Sequence, residues 1–154
     1  MSEAKPPANG EAVTIKKLFS RTTSVAIDIV ASPETIWALL TDVDRFKSWN
    51  STIVELTGTI ALGERIQLRS TLAPERTFKL KVKEFEAPKR LSWGDAMGTR
   101  VYTLTPKSEN ETRFMMSEKI GGPIFPLFAR MIPSFDESFN RFAHDLKTAA
   151  EVQA

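Results

Sequence analysis

Few side chains in this sequence combine the residue type and spacing that catalysis or metal binding requires. The chain has no cysteine and a single histidine, His144, which excludes thiolate chemistry and clusters of cysteine or histidine metal ligands. A serine–histidine–aspartate triad would have to use His144, whose chain neighbour Asp145 is a poor third member. The sequence also lacks a glycine-rich phosphate loop. We therefore expect neither a metal nor a cofactor.

Tyr102 and Glu118 are the remaining candidates for acid–base catalysis. Each alternates in phase with apolar residues of its predicted strand, so both side chains should point to the inside of a sheet. A carboxylate in an apolar environment needs a partner, or its pKa rises. Glu118 either reaches water or a basic residue such as Arg100 at the end of its strand, or it is a polar anchor at one end of a cavity.

The net charge of +2 comes from the N-terminal segment, since basic and acidic residues balance from residue 22 onward. A neutral domain lacks the basic surface that nucleic-acid binding requires, so we expect no nucleic-acid partner. Residues 1–21 are rich in proline, alanine and charge without periodicity, and we predict a flexible N-terminal leader there. A solvated tail is the main interpretation of this segment, and weak contact with an anionic surface is the alternative.

Length and hydropathy limit where the protein can reside. The 154 residues correspond to one domain. No stretch approaches the roughly 20 apolar residues that cross a bilayer, and the N-terminus has no secretory signal, so we expect no stable membrane insertion. The absence of cysteine fits a reducing compartment, and we expect a cytoplasmic protein.

Period-two alternation predicts an antiparallel sheet of seven strands. The first strand spans residues 23–30, and Ser32-Pro33-Glu34 then has the capping residues of a helix start. Two short helices should follow it, over residues 33–49. Turn residues separate the six further strands, at 53–57, 64–71, 77–86, 89–94, 99–105 and 112–119.

The C-terminal third predicts one long helix from about residue 123 to 151. An apolar stripe recurs at alternating steps of three and four, which is the spacing of one helix face. Its members are Phe125, Phe128, Ile132, Phe135, Phe139, Phe142 and Leu146. Pro133 lies inside the stripe and should kink the helix. The expected fold class is thus α+β, with the sheet wrapped on this helix.

A curved sheet cannot contact a straight helix along its whole length, so we expect a cavity between them. Inward-pointing strand residues would form one wall and the apolar helix stripe the other. The predicted ligand-binding residues are Trp49, Leu68, Phe78, Trp93, Tyr102, Met116, Glu118, Phe128, Ile132 and Phe135. For any one of these side chains, a role in the core is the alternative interpretation.

Several segments together resemble a known family. The most specific is VAIDIVASPETIWALLTDVDRFKSWN at residues 25–50, and looser matches are VKEFEAPKRLSW at 82–93, YTLTPKSENETRF at 102–114 and EKIGGPIF at 118–125. Over residues 23–151 the chain resembles the START-like superfamily that includes the birch-pollen allergens, specifically its polyketide cyclase/dehydrase-type (SRPBCC) members.

This resemblance implies a helix-grip fold and a single START-like ligand-binding domain over residues 22–154. Such proteins bind lipids, sterols, polyketides or plant hormones, and a minority catalyse cyclisation or dehydration. Two departures disfavour catalysis. Met116 stands where related sequences often carry a histidine, and Ser51 stands where many have a proline after the Trp-Asn pair.

Three functions are therefore compatible with the sequence. The first is a binding or carrier protein, monomeric or homodimeric, for a hydrophobic small molecule such as a lipid, polyketide or aromatic compound. The alternative is a cyclase or dehydratase that uses Tyr102 and Glu118 in the same cavity. The third is a protein-interaction module that uses the exposed sheet face.

Overall fold

The computed structural model describes residues 5–153. Segments in which apolar and polar residues alternate form eight antiparallel strands. The strands are β1 (Val13–Lys16), β2 (Ser20–Ile29), β3 (Ile53–Gly58), β4 (Arg65–Ser70), β5 (Phe78–Glu86), β6 (Arg90–Gly94), β7 (Gly98–Ser108) and β8 (Glu111–Gly121). They form one sheet in the order β1-β2-β8-β7-β6-β5-β4-β3. The predicted α+β fold, with its antiparallel sheet and C-terminal helix, is confirmed, with one strand more than the seven expected.

Two short helices carry the chain from β2 to the far edge of the sheet. They are α1 (Pro33–Thr41) and α2 (Val43–Trp49), as the sequence predicted. The Ser32 hydroxyl accepts a hydrogen bond from the Thr35 amide at 3.2 Å, which caps the start of α1. After α2, strands β3 to β8 meander back across the sheet until β8 lies beside β2.

The first strand, β1, was not expected, because residues 1–21 were predicted to be a flexible leader. Residues 1–4 lie outside the described residues, but Val13–Lys16 pairs with β2 at the edge of the sheet. The Ala12 amide also donates to Asn140 Oδ1 at 2.6 Å, and the Thr14 hydroxyl donates to Asp136. The leader prediction is therefore wrong over β1, since a four-residue edge strand is too short to give a clear alternation.

The predicted continuous helix over 123–151 is wrong as well. A four-residue helix α3 (Phe125–Phe128) and a 3₁₀ turn at Ala129–Met131 precede the main helix α4 (Asp136–Gln153). Ile132 is extended, at φ −90° and ψ 122°, as the residue before a proline prefers. Pro133 has no backbone N–H for helical bonding, so it separates the two helical parts where only a kink was expected.

The core lies where α4 crosses the inner face of the sheet. The Phe114 and Phe142 rings stack with centroids 6.1 Å apart, and Tyr102 stacks on Phe142 at 5.7 Å. Phe139 is completely buried one turn before Phe142. This aromatic layer accounts for the apolar stripe on α4, and it joins the helix to the strands β7 and β8.

We expect Phe139→Ala to lower the free energy of unfolding by about 3–5 kcal/mol, because it removes a completely buried ring and leaves a cavity. Denaturant melts measure this loss. The matched control is Phe19→Ala, which truncates a ring that is 54% exposed and should change stability little. A loss below about 1 kcal/mol for Phe139→Ala would contradict the core described above.

A truncated chain that begins at Ser20 should be less stable than the full chain by about 1–3 kcal/mol, because it loses β1 and the hydrogen bonds to Asn140 and Asp136. A chain that begins at Asn9 keeps these contacts and is the control. Thermal melts of both chains decide the point. Equal stability of the two chains would show that β1 does not contribute to the fold.

Candidate functional site

A row of polar side chains crosses the inner face of the sheet near the start of α4. Directly paired positions on neighbouring strands place Thr23 opposite Glu118 and Glu118 opposite Arg100. Thr14 and Trp93 extend the row at its two ends. Five strands therefore position this row beneath an aromatic helix face.

Arg100 and Glu118 form an ion pair in this row. The Arg100 Nε atom lies 2.7 Å from Glu118 Oε1, and the guanidinium stands 5.0 Å from the centroid of the Phe139 ring. Burial opposes the charge of Arg100, but the Glu118 carboxylate and the nearby Tyr102 oxygen raise the pKa of the guanidinium overall. Of the two interpretations of Glu118 in the sequence, the pairing with Arg100 is therefore the one found.

Tyr102 lies one row further into the core, opposite Met116. Its hydroxyl is buried and makes no hydrogen bond of normal geometry within residues 5–153, although the Arg100 guanidinium is close enough to act on its charge. Burial raises the pKa of Tyr102 to about 12, against the opposing effect of Arg100. At neutral pH this phenol is protonated, so it can donate a proton or a hydrogen bond but cannot act as a base.

Arg21 lies outside this row, two residues before Thr23 on β2 and opposite Ile120, where it joins the sheet to the segment between α3 and α4. Its Nη1 donates to the carbonyl of Ile132 at 3.1 Å, and its Nη2 donates to the carbonyl of Pro133 at 2.8 Å. The guanidinium also lies 4.9 Å from the centroid of the Phe135 ring. Burial lowers the pKa of Arg21, while the carboxylates of Asp136 and Glu118 partly restore it.

A cavity of about 430 Å³ opens beside Arg21, between the β1–β2 hairpin and the segment that joins β8 to α4. Phe125, Ala129 and Ile132 give it an apolar side. Its polar lining is mostly basic, with Lys16, Lys17, Arg21 and Arg130, and it also includes the acidic Asp136. Its volume is that of a typical small-molecule site, and its lining suits a ligand with an apolar body and an anionic or polar group.

The predicted ligand-binding residues occupy several places in the structure. Ile132 lines the cavity beside Arg21, and Trp49 lines a second cavity of about 400 Å³ between α2 and the end of α4. Phe135 and Phe128 are half-buried near the first cavity, in ring contact with Phe139 and Phe125 respectively.

The remaining predicted residues belong to the sheet. Trp93, Tyr102 and Met116 are completely buried in the core, Leu68 is buried, and Glu118 is in the polar row. Phe78 lies near the far edge of the sheet under the Arg76 guanidinium, 4.5 Å away. The structure thus brings Tyr102, Glu118 and Met116 together and leaves Phe78 apart.

Sequence reasoning missed Lys16, Arg21 and Phe125 as cavity residues. Arg21 has the same alternation as Val25 and Ile27, which would have identified it as an inward residue had the strand been started at Ser20. Phe125 was recognised only as one member of a helix stripe. The cavity therefore lies at the end of the predicted helix–sheet interface and involves the segment that was taken for a leader.

Residues 5–153 contain no group of three or more histidine, aspartate or glutamate side chains that could hold a metal ion. None of the helices described is long and apolar enough to span a bilayer.

Comparison with protein families gives one match. The family model described as "Polyketide cyclase / dehydrase and lipid transport" matches residues 20–151. A search of curated protein sequences finds no match for this chain.

Solved structures with the same fold are numerous. A protein from Nitrosomonas europaea is 16% identical and has a TM-score of 0.68, with 90% of this chain and 98% of that one covered. A START superfamily protein from Mycobacterium smegmatis is 16% identical at a TM-score of 0.64, with 86% and 99% covered. A norcoclaurine synthase point mutant from Thalictrum, in complex with a transition-state analogue, is 10% identical at a TM-score of 0.64, with 92% and 99% covered. At these identities the likeness concerns the fold.

Alkaline titration should report the environment of Tyr102, which is the single tyrosine of the chain. We expect its phenolate absorbance to appear with a midpoint near pH 12, against 10 for an ordinary tyrosine. Because the folded state holds this proton more tightly, its stability should fall as pH rises from 10 toward 12. Circular dichroism recorded in parallel shows whether the protein is folded at each pH.

The control for this titration is Tyr102→Phe, which should remove both the absorbance change and its share of the alkaline stability loss. A midpoint near 10 in protein that circular dichroism shows to be folded would mean that the hydroxyl is solvated.

Proposed function

We propose that this chain, which belongs to the polyketide cyclase / dehydrase and lipid transport family, binds or carries a hydrophobic small molecule. The family and its fold are those of a hydrophobic ligand-binding domain. The observation that carries the proposal for this chain is the cavity of about 430 Å³, whose lining combines apolar residues with several basic ones.

The lining favours a ligand that is both apolar and anionic or polar. Phe125, Ala129 and Ile132 would contact its apolar body, while Lys16 and Arg21 would face a carboxylate, phosphate or phenolate group. A neutral hydrocarbon would make no polar contact with the basic residues of the lining, although Arg21 already binds the carbonyls of Ile132 and Pro133. We therefore place fatty-acid-like and acidic polyketide or aromatic compounds ahead of uncharged ones.

The deeper predicted residues are packed in the core and do not line the cavity, so a longer ligand would reach them only by displacing side chains. The Phe135 ring contacts the Arg21 guanidinium and stacks on the Phe139 ring, with the two ring centroids 6.0 Å apart. The Arg100 guanidinium lies over the Phe139 ring in turn. Beyond them lies the Tyr102 hydroxyl, which has no hydrogen-bond partner within the described residues. A polar group of the ligand at this point would satisfy that hydroxyl and offset the cost of burying it.

The same hydroxyl is the one observation that favours the alternative, a cyclase or dehydratase. A buried phenol beside a guanidinium could donate a hydrogen bond to a carbonyl or hydroxyl of a polyketide-like substrate, although a pKa of about 12 makes it a weaker general acid than an ordinary tyrosine. Glu118 is the weaker candidate, because Arg100 already occupies one of its oxygens at 2.7 Å. We rank this activity second to binding.

Native mass spectrometry of gently purified protein tests whether an apolar ligand is retained. In parallel, an anionic naphthalene sulfonate dye should bind with roughly micromolar affinity, which corresponds to about 8 kcal/mol. Ala129→Phe fills the cavity beside Ile132 and should weaken dye binding at least about tenfold, by steric exclusion.

Two controls locate the binding. Lys81→Ala, on the exposed face of β5, should leave dye affinity unchanged. Tyr102→Phe keeps the cavity lining and changes only the deeper core, so it separates a shallow ligand from a deep one. The proposed site would be overturned if Ala129→Phe bound the dye as tightly as the parent protein. It would also be overturned if the parent protein neither retained a ligand in native mass spectrometry nor bound the dye.

A further inference from the structure

Exposed apolar side chains gather at the end of the molecule that holds the cavity. Ile124, Leu127 and Met131 are 62%, 83% and 81% exposed, and Leu18 and Phe19 in the β1–β2 turn are 70% and 54% exposed. We call these five side chains the end patch. Large apolar side chains are normal singly on a surface, but a group of this kind at one end marks an interaction site.

The two halves of the end patch are held beside each other. The amide of Gly122 donates to the carbonyl of Phe19 at 3.0 Å, and Ser20 pairs with Gly121 in the sheet. The same two segments, the β1–β2 turn and the residues between β8 and α4, also face each other across the cavity. The end patch is therefore one surface built from two parts of the chain.

One half of the end patch is the outer face of the α3 region, residues 124–131. Ile124 precedes α3, Leu127 lies within it, and Met131 ends the 3₁₀ turn that follows; all three are exposed and none lines the cavity. The opposite face, with Phe125 and Ala129, lines the cavity. Both faces of this segment are apolar, which is unusual for a surface helix in contact with water alone.

Most charges in and beside the two segments of the end patch are positive. Residues 16–21 and 118–136 contain five basic residues and two acidic ones, Glu118 and Asp136. Lys16, Lys17, Lys119 and Arg130 are exposed, whereas Arg21 is buried and binds the carbonyls of Ile132 and Pro133. A set of projecting apolar side chains with basic residues among them complements an anionic lipid surface, which takes the apolar groups at its interface and attracts the cations.

We propose that the end patch docks the protein on the surface of an anionic phospholipid membrane, with the mouth of the cavity toward the lipid. A second copy of the chain is a poorer occupant, because a symmetric contact would bring the same cations together. The proposal concerns the outer face of the α3 region and does not require the cavity to hold a ligand.

Sedimentation of the full chain with vesicles tests the docking. Vesicles of phosphatidylcholine with about 30 mol% phosphatidylserine should bind the protein at least about tenfold more tightly than pure phosphatidylcholine vesicles. Raising the salt concentration to about 0.5 M should remove most of that difference, because it screens exposed charges.

Variants then assign the binding to the end patch. The double variant Leu127→Ser/Met131→Ser removes two exposed apolar side chains and should weaken vesicle binding about tenfold or more. Leu62→Ser is the matched control, since Leu62 is 65% exposed in the turn between β3 and β4, at the opposite edge of the sheet. Both variants should keep the melting temperature and the dye affinity of the parent protein, because neither alters the core or the cavity lining.

Three results would overturn the proposal. The first is no preference for anionic vesicles, and the second is an equal effect of the two serine variants. The third is a dimer in light scattering that the double variant abolishes, which would assign the end patch to a second copy of the chain. Loss of vesicle binding with normal dye binding would support docking and leave the proposed ligand site intact.

Discussion

Pro133 is the constraint on which the geometry of the candidate site depends. Because it cannot continue a helix, the C-terminal apolar stripe divides into α4, which completes the core, and a short α3 region that leaves the sheet. The carbonyls of Ile132 and Pro133 are then free of helical bonding, and the Arg21 guanidinium binds both. The cavity lies beside these two hydrogen bonds, between the β1–β2 hairpin and α3.

The polar row beneath α4 is a second consequence of how the strands pair. Antiparallel register places Arg100, Glu118 and Thr23 side by side on a face that is otherwise apolar. Desolvation makes such a pair costly, so its presence is weak evidence for stability. The aromatic ring of Phe139 compensates in part, since the Arg100 guanidinium lies against its face.

Local patterns were sufficient to predict most of the fold. The two short helices, the six strands from β3 to β8 and the inward direction of Tyr102 and Met116 follow from alternation and capping residues, because neighbouring residues determine them. The break at Pro133 was underestimated, since the regular stripe from Phe125 to Leu146 continues across it in sequence. Whether a proline kinks or divides a helix depends on tertiary partners, here Arg21, and these are not visible in the sequence.

The candidate site was predicted less completely than the fold, for a related reason. Its cavity is formed by segments far apart in sequence, the β1–β2 hairpin and the α3 region, and no periodicity connects Lys16 or Arg21 with Ile132. The interior aromatic residues were recognised correctly as inward-facing, but their mutual packing around Phe142 is a property of the folded state. Composition indicates that such residues are buried, whereas the position of the remaining space depends on how they fit.

The short helical pieces between β8 and α4 also have a kinetic consequence. The α3 helix has four residues and the 3₁₀ turn three, so this segment has few internal hydrogen bonds compared with α4 or the sheet. Segments of this kind open with a lower free energy than the whole domain. The segment beside the cavity can therefore open while the sheet and α4 remain folded. Such an opening breaks the two hydrogen bonds from Arg21, and it does not require the domain to unfold.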